Sequence, residues 1–166
     1  MATHHIPILG ASVLPDSSGS VFLEPASVKA TTEVFNDLVW VFSDTATRIG
    51  LHGSFVVPQN YVGTAVVKVY WYTSATAGDV EWDFDYRAVA AGELLDSATV
   101  QETVNQNDTA EGTAFDLAIT SLTLTGGNFA VGDLVRFALY RDGTDAGDTL
   151  AAAAVVDTVL FQYADA

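Results

Sequence analysis

Apolar and polar residues alternate along most of this chain, in short runs separated by turn-forming residues. Alternation of that kind marks a strand with one buried face. The clearest run is VEWDFDYR, Val80 to Arg87, where Trp82, Phe84 and Tyr86 share one face and Glu81, Asp83 and Asp85 the other. The same reading predicts strands over Val34–Ser43, Ile49–Val57, Thr64–Thr73, Val80–Ala90, Phe115–Leu124, Leu134–Tyr140 and Val155–Tyr163. A shorter strand is expected near Val21–Leu23 or Val28–Ala30. Valine, threonine and aromatic residues fill these runs, and branched or ring side chains suit a pleated surface. Pro58-Gln59-Asn60, Ala77-Gly78-Asp79, Gly126-Gly127-Asn128 and Asp142-Gly143 supply turns between them. Helix signals are weak, because Ala151–Ala154 runs directly into the strand-forming Val155, Val156, Thr158 and Val159. The expectation is an all-β fold, an antiparallel jelly-roll-like β-sandwich of about eight strands.

Two segments break the rhythm. Glu93–Gly112 is polar and acidic and reads as a long crossover loop. Residues 1–25 read as an extended N-terminal arm, leaving 26–166 as the sandwich domain. Within the arm, Ile6, Pro7, Ile8, Leu9, Val13 and Leu14 are apolar without a helix or strand period. An isolated arm cannot bury such side chains, so they dock either on their own sandwich or on a neighbouring subunit. On the second reading they are the partner-binding residues, and deleting Met1–Asp16 leaves the sandwich folded.

Charge narrows the function. Six basic residues stand against 21 acidic ones, a net charge of −15. Nucleic-acid binding draws on Lys and Arg, and anionic membrane surfaces repel such a chain, so neither partner is expected. The chain has no cysteine, which removes disulfides and thiolate zinc sites. No basic start with an unbroken apolar core, the mark of a signal peptide, opens the sequence, and no run approaches the roughly 20 apolar residues of a membrane span.

Among candidate chemistries, Glu81-x-Asp83-x-Asp85 resembles the Glu-x-Asp-x-Glu strand of retaining jelly-roll glycosidases. There Glu81 and Asp85 would be nucleophile and acid/base. Asp85 is one methylene short for that role, and same-face neighbours on a strand lie roughly 7 Å apart where retention needs about 5–5.5 Å between carboxyls. The competing reading is a solvated acidic face with Lys68 opposite, its strand forming a hairpin with the acidic one through Ser74–Asp79. Asp142, Asp145 and Asp148 are a calcium candidate in a glycine-containing loop, although their spacing is not that of an EF-hand and Asp-Gly is equally a turn signal. No Gly-x-Ser-x-Gly elbow or phosphate-cradling glycine loop is present. His4 and His5 fall in the arm, and His52 falls on the outer face of its strand by parity. No cofactor and no enzymatic activity are expected.

Tyr70 and Tyr72 share the Lys68 face of their strand, with Val67, Val69 and Trp71 on the other. A sugar-binding module would expose such rings, whereas a subunit interface would bury them. The stretches YVGTAVVKVYWYTSATAGDVEWDFDYRAVAAGE and LTLTGGNFAVGDLVRFALYRDGTDAGDTLAAAAVV, within Tyr61–Tyr163, resemble the β-sandwich cement (decoration) proteins of tailed-bacteriophage capsids. That resemblance implies a structural virion protein on the outer capsid surface, a homotrimer bridging subunits of the major capsid protein. It carries no catalytic residues. The alternative is a carbohydrate- or receptor-binding β-sandwich module of a phage tail or fibre, and a glycosidase is the third reading.

Overall fold

The computed structural model describes residues 2–9, 13–25 and 37–165. Among them run eleven strands: β1 (Thr3–Pro7), β2 (Leu14–Pro15), β3 (Val21–Pro25), β4 (Leu38–Phe42), β5 (Arg48–Val56), β6 (Tyr61–Tyr72), β7 (Asp79–Val89), β8 (Glu102–Thr109), β9 (Ala118–Leu124), β10 (Leu134–Asp142) and β11 (Ala154–Asp165). A single 3-10 turn, Gly126–Asn128, precedes β10. The strands form two antiparallel sheets. One has six strands in the order β3-β4-β11-β6-β9, with β1 also paired to β11; the other has five in the order β2-β5-β10-β7-β8. This is the all-β jelly-roll-like sandwich that the alternation predicts. The expected strand at Val28–Ala30 and the start of Val34–Ser43 lie outside the described residues.

The core lies between the sheets and is rich in rings. Trp71 of β6 meets Trp82 of β7 edge-on at 6.1 Å, and Phe42 meets Trp82 at 5.1 Å. Phe84 stacks on Phe137 at 5.3 Å, Phe55 leans on Phe161 at 4.7 Å, and Tyr86 stacks on Phe129 at 4.8 Å. Each Val, Leu, Ile or Phe buried in this way contributes about 1.5–3 kcal/mol.

Three expectations are corrected here. First, β6 and β7 do not form a hairpin. They belong to opposite sheets, so the Ser74–Asp79 segment crosses the sandwich, and Lys68 lies on the outer face of the six-stranded sheet, away from the acids. In this arrangement Trp71 and Trp82, both fully buried, face each other across the core. Gly78, at φ +105°, makes the bend with its Cα close against the backbone of Thr149 and Leu150.

Second, the polar stretch read as a crossover loop contains β8, an edge strand paired with β7 in register Glu81↔Asn107 to Asp85↔Thr103. Its inward positions, Glu102, Val104, Gln106 and Asp108, are largely polar, which hid the alternation. Two of them serve as acceptors for buried rings: Glu102 accepts from the Tyr86 hydroxyl, and Asp108 from Trp71 Nε1 at 3.1 Å.

Third, residues 2–9 and 13–25 are part of the sandwich rather than an arm beside it. Ile6 pairs opposite Phe161, and Ile8 N donates to Val159 O at 2.9 Å. Asp16 accepts from Gly50 N at 2.6 Å, fastening β2 to β5. Ile8 and Val13 are core residues, Ile6 and Leu9 pack against the core half-buried, and only Pro7 and Leu14 are exposed. Deleting Met1–Asp16 therefore removes core side chains and two strands, β1 from one sheet and β2 from the other, not a separate contact element.

Candidate functional site

The outward side chains of the five-stranded sheet fall in rows set by strand register. One row runs Leu14, His52, Ala138, Asp85, Thr103; the row on one side runs Gly50, Tyr140, Asp83, Asn105, and that on the other runs Ser54, Arg136, Arg87. Ala138, a single methyl between His52 and Asp85, makes a low floor flanked along β10 by Arg136 and Tyr140. The chain after β7 folds back over the sheet and brings Leu95, Ser97, Ala98, Thr99 and Val100 to one wall; Leu14 stands on the other. The result is a groove of about 520 Å3 across the sheet face.

The wall is tied to the floor by backbone and arginine contacts. Gln101 N donates to Tyr86 O at 2.9 Å, Arg87 NH1 donates to Ser97 Oγ at 2.6 Å, and Arg136 NH1 reaches Leu95 O at 3.4 Å. At one end, Arg48 of β5 stretches over the Tyr140 ring, its Cζ 3.8 Å from the ring centroid. It donates from Nε to Asp83 Oδ2 at 2.8 Å and from NH1 to Asp85 Oδ2 at 3.0 Å. Thr103 Oγ1 completes Asp85 at 2.6 Å. Gly50 makes this layering fit, because a Cβ there would collide with the Tyr140 ring. The Asp83 and Asp85 hydrogen bonds offset burial and raise the Arg48 pKa, so the guanidinium is a fixed charge in this layer. His52 is exposed beside Tyr140, ring to ring at 5.7 Å and edge-on.

The acidic row is therefore built differently from the solvated face that the sequence suggests. Glu81 and Asp83 are only 7% and 8% exposed, and the cation facing the acids is Arg48, not Lys68. Glu81 lies outside the groove, near Asn107 and Gly147. Glu81 and Asp85 thus do not converge on one cavity, and the glycosidase arrangement is not assembled. Burial, and then the charges of Asp145 and Asp83, push the Glu81 carboxyl above its ordinary range. Burial likewise outweighs Arg48 at Asp83 and raises its carboxyl.

A carboxyl whose folded-state pKa is raised contributes full stability below its unfolded pKa and loses it as pH rises through the folded value. Glu81→Gln is accordingly expected to stabilise the fold at about pH 7, with the advantage over wild type vanishing near pH 4, below the unfolded Glu pKa of about 4.3. Urea unfolding of both proteins at the two pH values measures this. A variant less stable than wild type at neutral pH would show that the carboxylate is held by favourable contacts.

The calcium candidate is also resolved into other roles. Asp148, 3% exposed, takes a two-point pair from Arg141, which is 1% exposed: Nε to Oδ2 at 2.9 Å and NH2 to Oδ1 at 2.8 Å. Asp142 Oδ1 caps Thr144 N at 3.0 Å, and Asp145 Oδ1 accepts from Gly147 N at 2.7 Å. The three carboxylates are spent on loop closure and do not converge, and no group of three metal-ligating side chains stands together among the described residues. Tyr70 and Tyr72 are half-buried on the outer face of the other sheet, Tyr70 opposite Ile119 and Tyr72 edge-on to Phe115 at 6.5 Å.

Sequence reading missed Arg48, Ala138 and the groove itself. The available signal was a small residue flanked by Arg136 and Tyr140 at strand spacing, but its neighbours depend on register.

No family model and no curated protein matches the chain. Solved structures do. A family 35 carbohydrate-binding module from Paenibacillus barcinonensis superposes with a TM-score of 0.55 at 12% identity, covering 97% of this chain and 98% of that one. The xylan-binding CBM22-1 domain from the same organism gives 0.54 at 12% identity, covering 99% and 94%. A family 6 carbohydrate-binding module gives 0.50 at 10% identity, covering 97% and 94%. At such identities the likeness is one of fold: the chain has the β-sandwich of carbohydrate-binding modules.

Proposed function

We propose that this chain is a non-catalytic carbohydrate-binding module that takes a saccharide in the groove of the five-stranded sheet. The observation that carries the reading is the groove: a low floor at Ala138 ringed by His52, Asp85, Arg87, Arg136, Ser97 and Tyr140. Saccharide hydroxyls need convergent donors and acceptors, and their C–H faces need apolar or ring surface. Here the polar groups converge on the floor, while Leu14, Leu95 and Val100, each at least 46% exposed, rim it. The sandwich shared with carbohydrate-binding modules supports the reading at the level of fold. The test is retention on immobilised polysaccharides, wild type against an Ala138→Leu variant. Wild-type retention lost in the variant is expected; no retention of the wild type on any polysaccharide would overturn the reading.

A second reading, the cement protein of a phage capsid, is favoured by one observation. The outer face of the six-stranded sheet carries an apolar patch at the start of β9, where Phe115, Leu117 and Ile119, each between 46% and 54% exposed, stand beside Tyr70 and Tyr72. Such a face suits contact with protein. On this reading light scattering after size exclusion gives a trimer mass, and a monomer counts against it.

A further inference from the structure

Two of the six basic side chains, Arg87 of β7 and Arg136 of β10, are direct cross-strand partners on the groove floor. Directly opposed side chains on an antiparallel pair stand about 4.5–5.5 Å apart at Cβ, and like charges there destabilise the sheet. Neither arginine has a carboxylate within salt-bridge distance among the described residues. Arg87 is half-buried and donates to Ser97 Oγ, and Arg136 is exposed and donates to Leu95 O. Each guanidinium has five N–H donors, so the loop contacts leave most of them free. Of the acids near the wall, Asp96 stands between Leu95 and Ser97 without a hydrogen bond or ion pair to either arginine among the described residues, and Glu93 is turned to the backbone, its Oε2 accepting from Ala90 N at 3.0 Å.

The charge distribution sharpens this. The chain carries 21 carboxylate side chains, yet among the described residues Asp85 alone lines the groove, and Asp85 is already paired with Arg48. The groove is thus a cationic strip on a strongly acidic protein, kept at the expense of a like-charge pair. Planar guanidinium forks recognise carboxylate and sulfate oxygens by paired hydrogen bonds. At physiological ionic strength the screening length is about 8 Å, so distant acids weigh little against contacts in the groove.

We infer that the groove selects an acidic saccharide, one whose uronic carboxylate or sulfate ester seats between Arg87 and Arg136. This rests on the carbohydrate-binding reading and adds the charge of the ligand to it. Calorimetric titration of the full chain tests it with four probes: an oligogalacturonate, its methyl-esterified neutral counterpart, a sulfated oligosaccharide, and inorganic sulfate. The expected result is an acidic saccharide bound roughly tenfold or more tighter than the neutral one, as hydrogen bonds to charged groups imply. Which acidic probe binds tells carboxylate from sulfate ester. Rising salt should weaken that binding, Arg136→Gln should abolish the preference, and Arg136→Lys should restore part of it while thermal melting confirms both fold. Equal affinity for the neutral saccharide would overturn the inference and leave the module reading standing. Binding of inorganic sulfate as tight as that of any saccharide would also overturn it. No saccharide bound at all would overturn both.

Discussion

An Arg141→Met variant is expected to lose about 3–5 kcal/mol of unfolding free energy, the cost of breaking a buried ion pair by removing one partner. Arg141 sits at the end of β10 with 1% of its side chain exposed, and Asp148 opposite it with 3%. Besides that pair, Arg141 donates to Leu150 O at 2.5 Å and Ala152 O at 2.7 Å. The guanidinium therefore holds the whole return from β10 to β11, and its loss leaves two carbonyls without their donor, Asp44 without its cation at 3.5 Å, and the buried Asp148 carboxylate with only a long bond from Glu81 N at 3.4 Å. A lysine offers a point charge in place of a planar fork, so Arg141→Lys should recover only part of the loss. Pairing Arg141→Met with Asp148→Leu should recover more, because the unpaired charge is gone. Urea denaturation reads all three. Since small domains are stable by only about 5–15 kcal/mol, a single-variant loss under about 1 kcal/mol would contradict the role given to this pair.

An Ala138→Leu variant is expected to lose saccharide binding by at least about tenfold while keeping its thermal stability. Ala138 is 6% exposed yet faces outward, so its methyl is the bottom of the groove rather than part of the core. Leucine there raises three carbons between His52 and Asp85, where a sugar ring would lie, and one methylene in a fitted site is already worth about 1–3 kcal/mol. The opposite faces of β10, through Val135, Phe137 and Leu139, stay untouched in the core. Binding measured on immobilised polysaccharide together with a melting curve separates a blocked groove from an unfolded protein. Retention equal to that of the wild type would place the ligand elsewhere.

Alternation made β5, β6, β7, β10 and β11 legible to within a few residues, because each buries one face against a core of rings. It failed at β8, whose inward Glu102 and Asp108 are polar because they accept from Tyr86 and Trp71. Parity placed Lys68, Tyr70 and Tyr72 on one face, and so they are. It could not tell which sheet that face belongs to, since Trp71 and Trp82 are buried equally well in a hairpin or across a sandwich. The groove depends on register between strands distant in sequence: Arg136 beside Arg87, Ala138 between His52 and Asp85. Arg48, at the first position of β5, preceded the apolar run that marked the strand.

The central claim is the placing of a saccharide on the outer face of the five-stranded sheet. Backbone amide chemical-shift mapping during titration with a bound oligosaccharide tests it most directly. Shifts confined to residues 52–54, 85–87, 95–100 and 136–140, the groove floor and wall, are the expected result. Shifts centred on Tyr70, Tyr72 and Ile119, or none in the groove, would contradict it.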